Sequence, residues 1–248
     1  MTKDERRIIA EKHFDEMQNR KNIKCATEYS IKHTKVYDGV MLYDNDVDII
    51  DSTTENAILQ VYKKTNESPC VLNFASFTRP GGGFIKGSIA QEESLCHVSN
   101  LYNVLLAFKD EYDKNYNRES FKSGTYNNWA LYSDSVYFEI NNQQMTANVI
   151  TCAAPNYKKF IENGGTNLKG YDEVLYSRIK YILDIAKEND QKILILGAFG
   201  CGVFGNNPTT VATHFKSLLR YYNFDKVIFA IPNNQDGNYN EFKRIFSK

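Results

Sequence analysis

The chain has 248 residues, of which 42% are hydrophobic, 13% aromatic and 24% charged, and this composition excludes a disordered chain, a collagen-like repeat and a small disulfide-rich protein. The 30 basic and 30 acidic residues give zero net charge, so no basic surface that tracks along a polyanion is expected. We therefore expect a nucleotide-like ligand to bind in a local pocket, and we expect no direct DNA binding.

The hydrophobic periodicity predicts helices and strands that alternate along the chain. The expected helices cover residues 3–20, 53–64, 90–108, 167–187, 208–219 and 239–246. The expected strands cover residues 34–40, 70–75, 136–140, 148–153, 192–198 and 227–231, with an irregular segment at 109–130. Short strands that are apolar on both faces and separated by helices indicate an α/β fold with one sheet covered on both sides.

The cysteines and the N-terminus favour a cytoplasmic protein in a reducing compartment. The five cysteines are far apart and form no CxxC pair, which argues against a zinc site or a disulfide framework. They are Cys25, Cys70, Cys96, Cys152 and Cys201. The charged N-terminal segment lacks the features of a signal peptide, and no apolar run reaches the roughly 18 residues of a membrane span.

Eight of the 14 glycines lie in two short stretches, each between a predicted strand and a predicted helix. They are Gly81, Gly82, Gly83 and Gly87 in the first, and Gly197, Gly200, Gly202 and Gly205 in the second. Glycine permits positive φ and lets backbone N–H groups approach an anion, and a helix N-terminus favours phosphate. The pair of loops predicts a site for a diphosphate-bearing ligand at the carboxyl edge of the sheet, although each loop alone could be a tight turn.

The second stretch contains a GxGxxG pattern, Gly200 to Gly205, which is also the dinucleotide-binding fingerprint. Asp225 follows twenty residues after Gly205, but it precedes the next predicted strand, whereas a ribose-binding acid lies at that strand's far end. Only one further strand follows. These features argue against a dinucleotide-dependent oxidoreductase.

The acidic residues suited to catalysis follow the first glycine stretch. Seven residues after the triple glycine, Gln91, Glu92 and Glu93 open the helix predicted at 90–108. Acids in a first helical turn complement the helix dipole without any further role. Two features favour a site here: the acids adjoin a glycine loop, and Asn73 ends the preceding strand, where an amide can hold sugar hydroxyls.

The spacing GGG-x7-QEE resembles the signature of the poly(ADP-ribose) glycohydrolases, which are built on a macrodomain. The segments LNFAS, PGGGF and AQEESLC, with VITCAAPN at 149–156 and ILGAFGCGVFGN at 195–206, resemble the bacterial-type branch. The similarity extends from the N-terminal helix to the last strand. It implies a mixed sheet between helices in one catalytic domain, residues 1–248, with a helical extension at 1–32 packed on it.

The resemblance implies hydrolysis of the ribose–ribose O-glycosidic bond between ADP-ribose units. Glu93 would be the catalytic acid, Glu92 would bond ribose hydroxyls at the cleaved linkage, and Asn73 would hold the distal ribose. Gln91 and the catalytic-loop glycines Gly81, Gly82 and Gly83 would adjoin the substrate. The diphosphate loop would comprise Gly200, Cys201, Gly202, Val203, Phe204 and Gly205, with Phe204 against the distal ribose. At Gly202, where backbone would approach phosphate, we expect positive φ.

The expected reaction needs one acid to protonate the leaving ribose oxygen and then to activate water. Burial and the charge of Glu92 must therefore raise the proton affinity of Glu93 above the opposing effect of the helix N-terminus. We expect no cofactor and no metal, because this chemistry needs no metal and the sequence shows no metal-binding cluster. The four histidines are scattered: His13, His33, His97 and His214.

The expected partners are poly(ADP-ribose), ADP-ribose as product and poly-ADP-ribosylated proteins, bound by a monomer that releases ADP-ribose from chain ends, as in the reversal of ADP-ribosylation after DNA damage. Three alternatives stay open. An ADP-ribose-binding macrodomain or a nucleotide-binding interaction domain would have no need of the acid pair. Whether the chain is instead a mono-ADP-ribosyl-protein hydrolase depends on the pocket loops at 109–130 and 140–147.

Overall fold

The computed structural model describes residues 42–247 and, from the N-terminal part, Ile8 alone, which is helical. The strand expected at 34–40, the extension at 1–32 and most of the helix expected at 3–20 lie outside the described residues. The chain divides into one unit of Met1–Met41 and another of Leu42–Lys248, and the fold is that of the second unit. One catalytic domain over residues 1–248 stays a prediction.

Six strands in residues 42–247 form one mixed sheet in the order β1-β6-β5-β2-β4-β3. They are β1 (Val47–Ile50), β2 (Cys70–Phe74), β3 (Ala130–Ile140), β4 (Gln143–Cys152), β5 (Ile193–Leu196) and β6 (Lys226–Ala230). Neighbouring strands are parallel except for β3, which is antiparallel to β4 at one edge. The expected mixed α/β sheet is confirmed.

Helices cover both faces of this sheet. They are α1 (Thr54–Thr65), α2 (Gln91–His97), α3 (Leu101–Leu106), α4 (Lys109–Tyr116), α5 (Glu119–Ser123), α6 (Tyr157–Glu162), α7 (Leu168–Glu188), α8 (Pro208–Leu219) and α9 (Asn238–Phe246), with a 3₁₀ turn at Phe84–Lys86. Strand residues alternate between two apolar clusters, as the pleat requires. In β5, Ile195 belongs to the cluster with residues of α1, α2 and α3, whereas Leu194 and Leu196 pack with α7, α8 and α9.

The functional loops leave the sheet at one edge. Because β2, β4, β5 and β6 are parallel, their carboxyl ends lie together, and both glycine stretches follow strands that end there. The first joins β2 to α2, and the second joins β5 to α8. Ligands of open α/β sheets bind at this edge. Among the described residues, no helix combines the length and apolar character needed to cross a membrane.

The expectation of one helix over residues 90–108 is wrong, because the chain breaks there into α2 and α3. The backbone at the break pairs with strand β3: the N–H of Glu139 donates to the Val98 carbonyl at 2.8 Å, and the N–H of Asn100 donates to the Tyr137 carbonyl at 3.1 Å. The apolar pattern continues through the break, so periodicity does not reveal it.

The strands expected at 136–140 and 148–153 are parts of one longer hairpin, β3–β4. It closes through Asn141 and Asn142, whose φ values are 52° and 60°. Asparagine tolerates this conformation, and a two-residue turn with positive φ matches the twist of the strands. The loop expected at 140–147 is therefore mostly paired strand, and the irregular segment at 109–130 contains α4 and α5. Strand β1 and helix α6 were not expected from the sequence.

Candidate functional site

Two carboxylates are buried at the first turn of α2. Glu92 is 3% exposed and Glu93 is 6% exposed, and neither forms an ion pair with a residue of the described part of the chain. Acidic side chains are almost never fully buried without a partner charge, because desolvation penalises the ionised form. The start of a helix does not require its acids to be buried, so the burial of this pair indicates a candidate catalytic site.

Glu92 is held by hydrogen bonds from both sides. The Ser76 N–H donates to its Oε2 at 2.8 Å, and the Asn73 amide donates to its Oε1 at 3.2 Å. Burial raises the pKa of Glu92 from its ordinary value of 4.5 to about 8; the hydrogen bonds from Ser76, Asn73 and Gly81 oppose this rise, and the charge of Glu93 adds to it. Glu92 therefore retains a proton near neutral pH.

Glu93 has one bonded and one unbonded oxygen. Its Oε1 accepts from the Gly83 N–H at 2.8 Å, while its buried Oε2 has no hydrogen-bond partner within residues 42–247. Asn73 is fully buried, and its Nδ2 also donates to Thr151 Oγ1 at 3.3 Å, while its Oδ1 has no partner among the same residues. Buried polar atoms are almost always hydrogen-bonded, so these two atoms are suited to bind a ligand.

The first glycine loop packs directly on these acids. Gly82 has φ +59°, and a Cβ at this position would lie 2.5 Å from Glu93 Oε1 and 2.9 Å from Glu92 Oε2. At Gly81, which has φ +63°, a Cβ would lie 2.6 Å from the ring of Tyr102. Only glycine therefore fits at the wall that the loop forms over the carboxylates.

Gln91 connects the acid helix to the sheet. Its Oε1 accepts from the Phe74 N–H at 2.8 Å, and its Nε2 donates to the Leu72 carbonyl at 2.9 Å and to Thr54 Oγ1 at 3.2 Å. The amide thus completes the backbone hydrogen bonding at the end of β2. Both amide hydrogens are used within the protein, so this side chain positions α2 and has no donor left for a substrate.

The second glycine loop presents open backbone. Gly200 and Gly205 both have φ +73°, but Gly202 is outside the positive-φ region, so the expectation of positive φ at Gly202 is wrong. A Cβ on Gly202 would meet no atom within 4 Å, and the next side chain, Val203, is 75% exposed. Burial raises the pKa of the half-buried Cys201 thiol to about 12, with a smaller contribution from Asp236, so Cys201 is not a thiolate nucleophile.

Asn206 fixes the base of this loop and was not expected from the sequence. Its Nδ2 donates to the Pro155 carbonyl at 2.8 Å and to the Gly200 carbonyl at 3.3 Å, and its Oδ1 accepts from the Tyr171 hydroxyl at 2.8 Å. These bonds attach the loop after β5 to the end of β4. The sequence Asn206-Asn207-Pro208 indicates a helix start, in which Asn207 is the cap. It does not indicate the hydrogen bonds that Asn206 makes.

Aromatic side chains connect the two loops. Phe204 contacts Tyr126 edge-on with ring centroids 6.1 Å apart, and Tyr126 stacks on Phe77 at 4.4 Å. The fully buried Arg178 donates to the carbonyl of Tyr126 at 3.1 Å and to Asn128 Oδ1 at 2.8 Å, and it also donates to the carbonyl of Ala153. Arg178 therefore holds the aromatic wall against the end of β4.

No group of three or more His, Cys, Asp or Glu side chains within residues 42–247 is placed to hold a metal ion. The cysteines of this part of the chain, Cys70, Cys96, Cys152 and Cys201, are free thiols. The chemical groups of the site are therefore the two carboxylates, the Asn73 amide and the backbone of two glycine loops.

Comparisons with known proteins agree with this geometry. A protein-family model described as "Microbial-type PARG, catalytic domain" matches residues 2–139, which is more than half of the chain. The poly(ADP-ribose) glycohydrolase of Deinococcus radiodurans in complex with ADP-ribose is 32% identical; the match covers 83% of this chain and 85% of that chain, with a TM-score of 0.75. The Thermomonospora curvata enzyme bound to the inhibitor ADP-HPD is 29% identical, with coverages of 82% and 79% and a TM-score of 0.75. A search of curated proteins found no match.

Proposed function

The chain belongs to the microbial-type poly(ADP-ribose) glycohydrolase family and is a poly(ADP-ribose) glycohydrolase, and on this premise we propose that Glu93 is its general acid and base. The observation that supports this role is the buried Oε2 of Glu93, which has no partner among residues 42–247, beside an acid whose pKa is about 8. One oxygen of Glu93 is fixed by the loop, and the other is free to exchange a proton with a substrate.

In the first step, the bond between the anomeric carbon of one ribose and the oxygen of the next ribose breaks. The electron pair leaves with the oxygen, which takes the proton from Glu93, and positive charge develops on the sugar. The Gly83 N–H, which donates to Glu93 Oε1, stabilises the carboxylate that forms. The negative diphosphate of the bound ADP-ribose unit stabilises the developing cation.

In the second step, water adds to the anomeric carbon and gives one proton to the Glu93 carboxylate. The acid is restored, and the net reaction consumes one water for each bond cleaved. Glu92 lies on the same helical turn, and its proton and charge set how readily the pair gives up and regains a proton. No metal and no cofactor takes part in these steps.

We assign the sugar to the acids and Asn73, and the diphosphate to the second loop. Glu92 accepts from ribose hydroxyls at the cleaved linkage, and the unpaired Oδ1 of Asn73 accepts from the distal ribose. The open backbone at Gly202 allows phosphate oxygens to approach the N–H groups of the loop. Phe204 packs on the distal ribose from the aromatic side of the loop.

The partners in this proposal are poly(ADP-ribose) chains on modified proteins and free ADP-ribose as product. The zero net charge favours cleavage at chain ends over tracking along the polymer or binding to DNA, and in this proposal the enzyme acts as a monomer. The free thiols fit a reducing, cytoplasmic compartment. The cellular role that follows is reversal of ADP-ribosylation, including after DNA damage.

Glu93→Gln tests the assignment with defined poly(ADP-ribose), mono-ADP-ribosylated protein and identification of the released products. The amide keeps the shape of the side chain but has no acidic proton, so we expect polymer hydrolysis to fall by at least about 10³-fold with ADP-ribose binding retained. Glu119→Gln is the matched control, because Glu119 also lies in a first helical turn but is exposed. Its activity is expected to equal that of the wild type.

Polymer hydrolysis by Glu93→Gln within about ten-fold of the wild type would remove Glu93 from the chemistry. A chelator arm is expected to leave the wild-type rate unchanged, and magnesium-dependent activity would contradict the mechanism. Release of single ADP-ribose units supports chain-end cleavage, while release of oligomers would contradict it. Activity confined to mono-ADP-ribosylated protein would replace the polymer as substrate.

A further inference from the structure

Helix α4 carries two fully buried polar side chains one turn apart, in a segment that the sequence indicated to be irregular. Tyr112 and Asn115 are each 0% exposed. The Tyr112 hydroxyl and Asn115 Oδ1 have no hydrogen-bond partner among residues 42–247. Such atoms are rare in proteins, because a buried polar group without a hydrogen bond lowers the stability of the fold.

The buried face of α4 lies against the segment that holds Glu92. Asn115 Nδ2 donates to the Phe77 carbonyl at 3.1 Å, and the preceding residue, Ser76, donates its N–H to Glu92 Oε2 at 2.8 Å. Residues three apart on a helix share a face, so Tyr112 lies beside Asn115 on this face. The ring of Tyr112 is fixed edge-on against Trp129, with centroids 4.9 Å apart.

The electrostatics agree with this placement. Burial raises the pKa of Tyr112, and the charge of Glu92 raises it further, so the phenol stays protonated and can donate a hydrogen bond. Several groups surround the Glu92 carboxylate: Glu93 and Cys96 from its own helix, Asn73 from β2, and the backbone of Ser76 and Gly81 from the loop. A carboxylate has about four acceptor positions, so a further donor can be accommodated.

We propose that Tyr112 is a positioning residue for the acid pair, whose hydroxyl donates a hydrogen bond to the Glu92 carboxylate through one buried water molecule. This inference rests on the proposed function of the pair. The bond would hold the Glu92 carboxylate toward the ribose hydroxyls. It would also set how strongly the pair retains the proton that the reaction uses, because a donor to a carboxylate favours its ionised form.

Tyr112→Phe tests the proposal, because it keeps the ring against Trp129 and removes only the oxygen. We expect kcat on poly(ADP-ribose) to fall roughly ten-fold with KM changed by less than about two-fold. Loss of the donor makes the pair hold its proton more tightly, so the alkaline limb of the kcat–pH profile is expected to move up by about 0.5–1 pH unit. The unfolding temperature is expected to change little, because the ring and its contact with Trp129 are kept.

Tyr222→Phe is the matched control. Its buried hydroxyl donates to Asp184 Oδ1 at 2.6 Å, within the cluster of α7 and α8 and away from the acids. This variant also removes a tyrosine hydroxyl near a carboxylate, and we expect lower thermal stability with an unchanged kcat and pH profile.

An unshifted pH profile with unchanged kcat in Tyr112→Phe would overturn the proposal. A rise in KM alone would also overturn it, because it would place the hydroxyl against the substrate. The two proposals can fail separately: an active Glu93→Gln removes the proposed mechanism, whereas an inactive Glu93→Gln with a normal Tyr112→Phe removes only the role of Tyr112.

Discussion

The two glycine loops leave the same edge of the sheet but use glycine for different purposes. In the loop after β2, Gly81 and Gly82 have positive φ and leave no space for a side chain, because Tyr102 and the two acids fill it. In the loop after β5, positive φ at Gly200 and Gly205 turns the backbone, while Gly202 faces open space.

In the proposed function, this difference separates a loop that positions the catalytic carboxylates from a loop that binds the diphosphate. In the loop after β2, the Gly83 N–H is already hydrogen-bonded within the protein, because it donates to Glu93 Oε1 at 2.8 Å. The second leaves its backbone uncovered at Gly202 and exposes Val203. A substitution in the first loop should therefore impair chemistry, and a substitution at Gly202 should impair binding.

The largest effect is expected for Gly82→Ala, which places a methyl group 2.5 Å from Glu93 Oε1 and 2.9 Å from Glu92 Oε2. The acids or the loop must move, and kcat on poly(ADP-ribose) is expected to fall at least about 100-fold, since small displacements of reacting groups have effects of this size. Steady-state hydrolysis of the polymer is the measurement.

Gly237→Ala is the control for backbone strain. Gly237 has φ +74°, but a Cβ there meets no atom within 4 Å. Both variants carry the penalty of positive φ, and only Gly82→Ala collides with the acids, so the control is expected to lose some stability and no activity. Equal activities in the two variants would show that the first loop tolerates a side chain.

A smaller effect is expected for Gly202→Val, in binding and not in folding. The added side chain fills the open space in front of the loop backbone, so we expect the Kd for ADP-ribose to rise about ten-fold, or roughly 1.4 kcal/mol. Thermal-shift titration with ADP-ribose measures it, and the unfolding temperature without ligand serves as the control for the fold. An unchanged titration would mean that the diphosphate lies elsewhere.

The pH dependence of stability gives a test that uses neither activity nor ligand binding. In this test, Glu92→Gln measures the effect of burying the acid in the wall formed by the first loop. The pKa of Glu92 is about 8 in the folded chain against 4.5 ordinarily, so between these pH values the folded chain keeps a proton that the unfolded chain has lost. This contribution to stability therefore falls as pH rises through that window. Glutamine has no such titration.

We expect the unfolding temperature of Glu92→Gln, relative to the wild type, to rise by at least about 5 °C between pH 5 and pH 9. The difference in unfolding temperature between the variant and the wild type is compared at the two pH values. This comparison cancels any pH-independent effect on stability of placing an amide next to Ser76 and Asn73. The exposed Glu119→Gln variant is expected to show no such change. A difference in unfolding temperature between Glu92→Gln and the wild type that does not change with pH would contradict the raised pKa of Glu92.

Much of the fold and the site could be predicted because local patterns carry them. The apolar segments that became β2, β5 and β6 are short and continuous, and glycines with a following helix mark the two loops. The spacing from Gly83 to Gln91 identified the acid pair through its resemblance to a family. These signals lie within about twenty residues of sequence, so periodicity and spacing are sufficient to detect them.

The rest depended on contacts between distant segments. The sequence alone determined an α/β sheet, two glycine loops at its carboxyl edge and an acid pair at a helix start, because each follows from the order of residue types. Only the tertiary structure decided that α2 ends where β3 pairs with the chain at Val98, that Gln91 bonds to the end of β2, and that Gly202 is open. It also decided that Tyr112 is buried on the face of α4 that packs against the chain at Phe77. The physical reason is that burial and hydrogen bonding at these positions come from residues that only folding brings together.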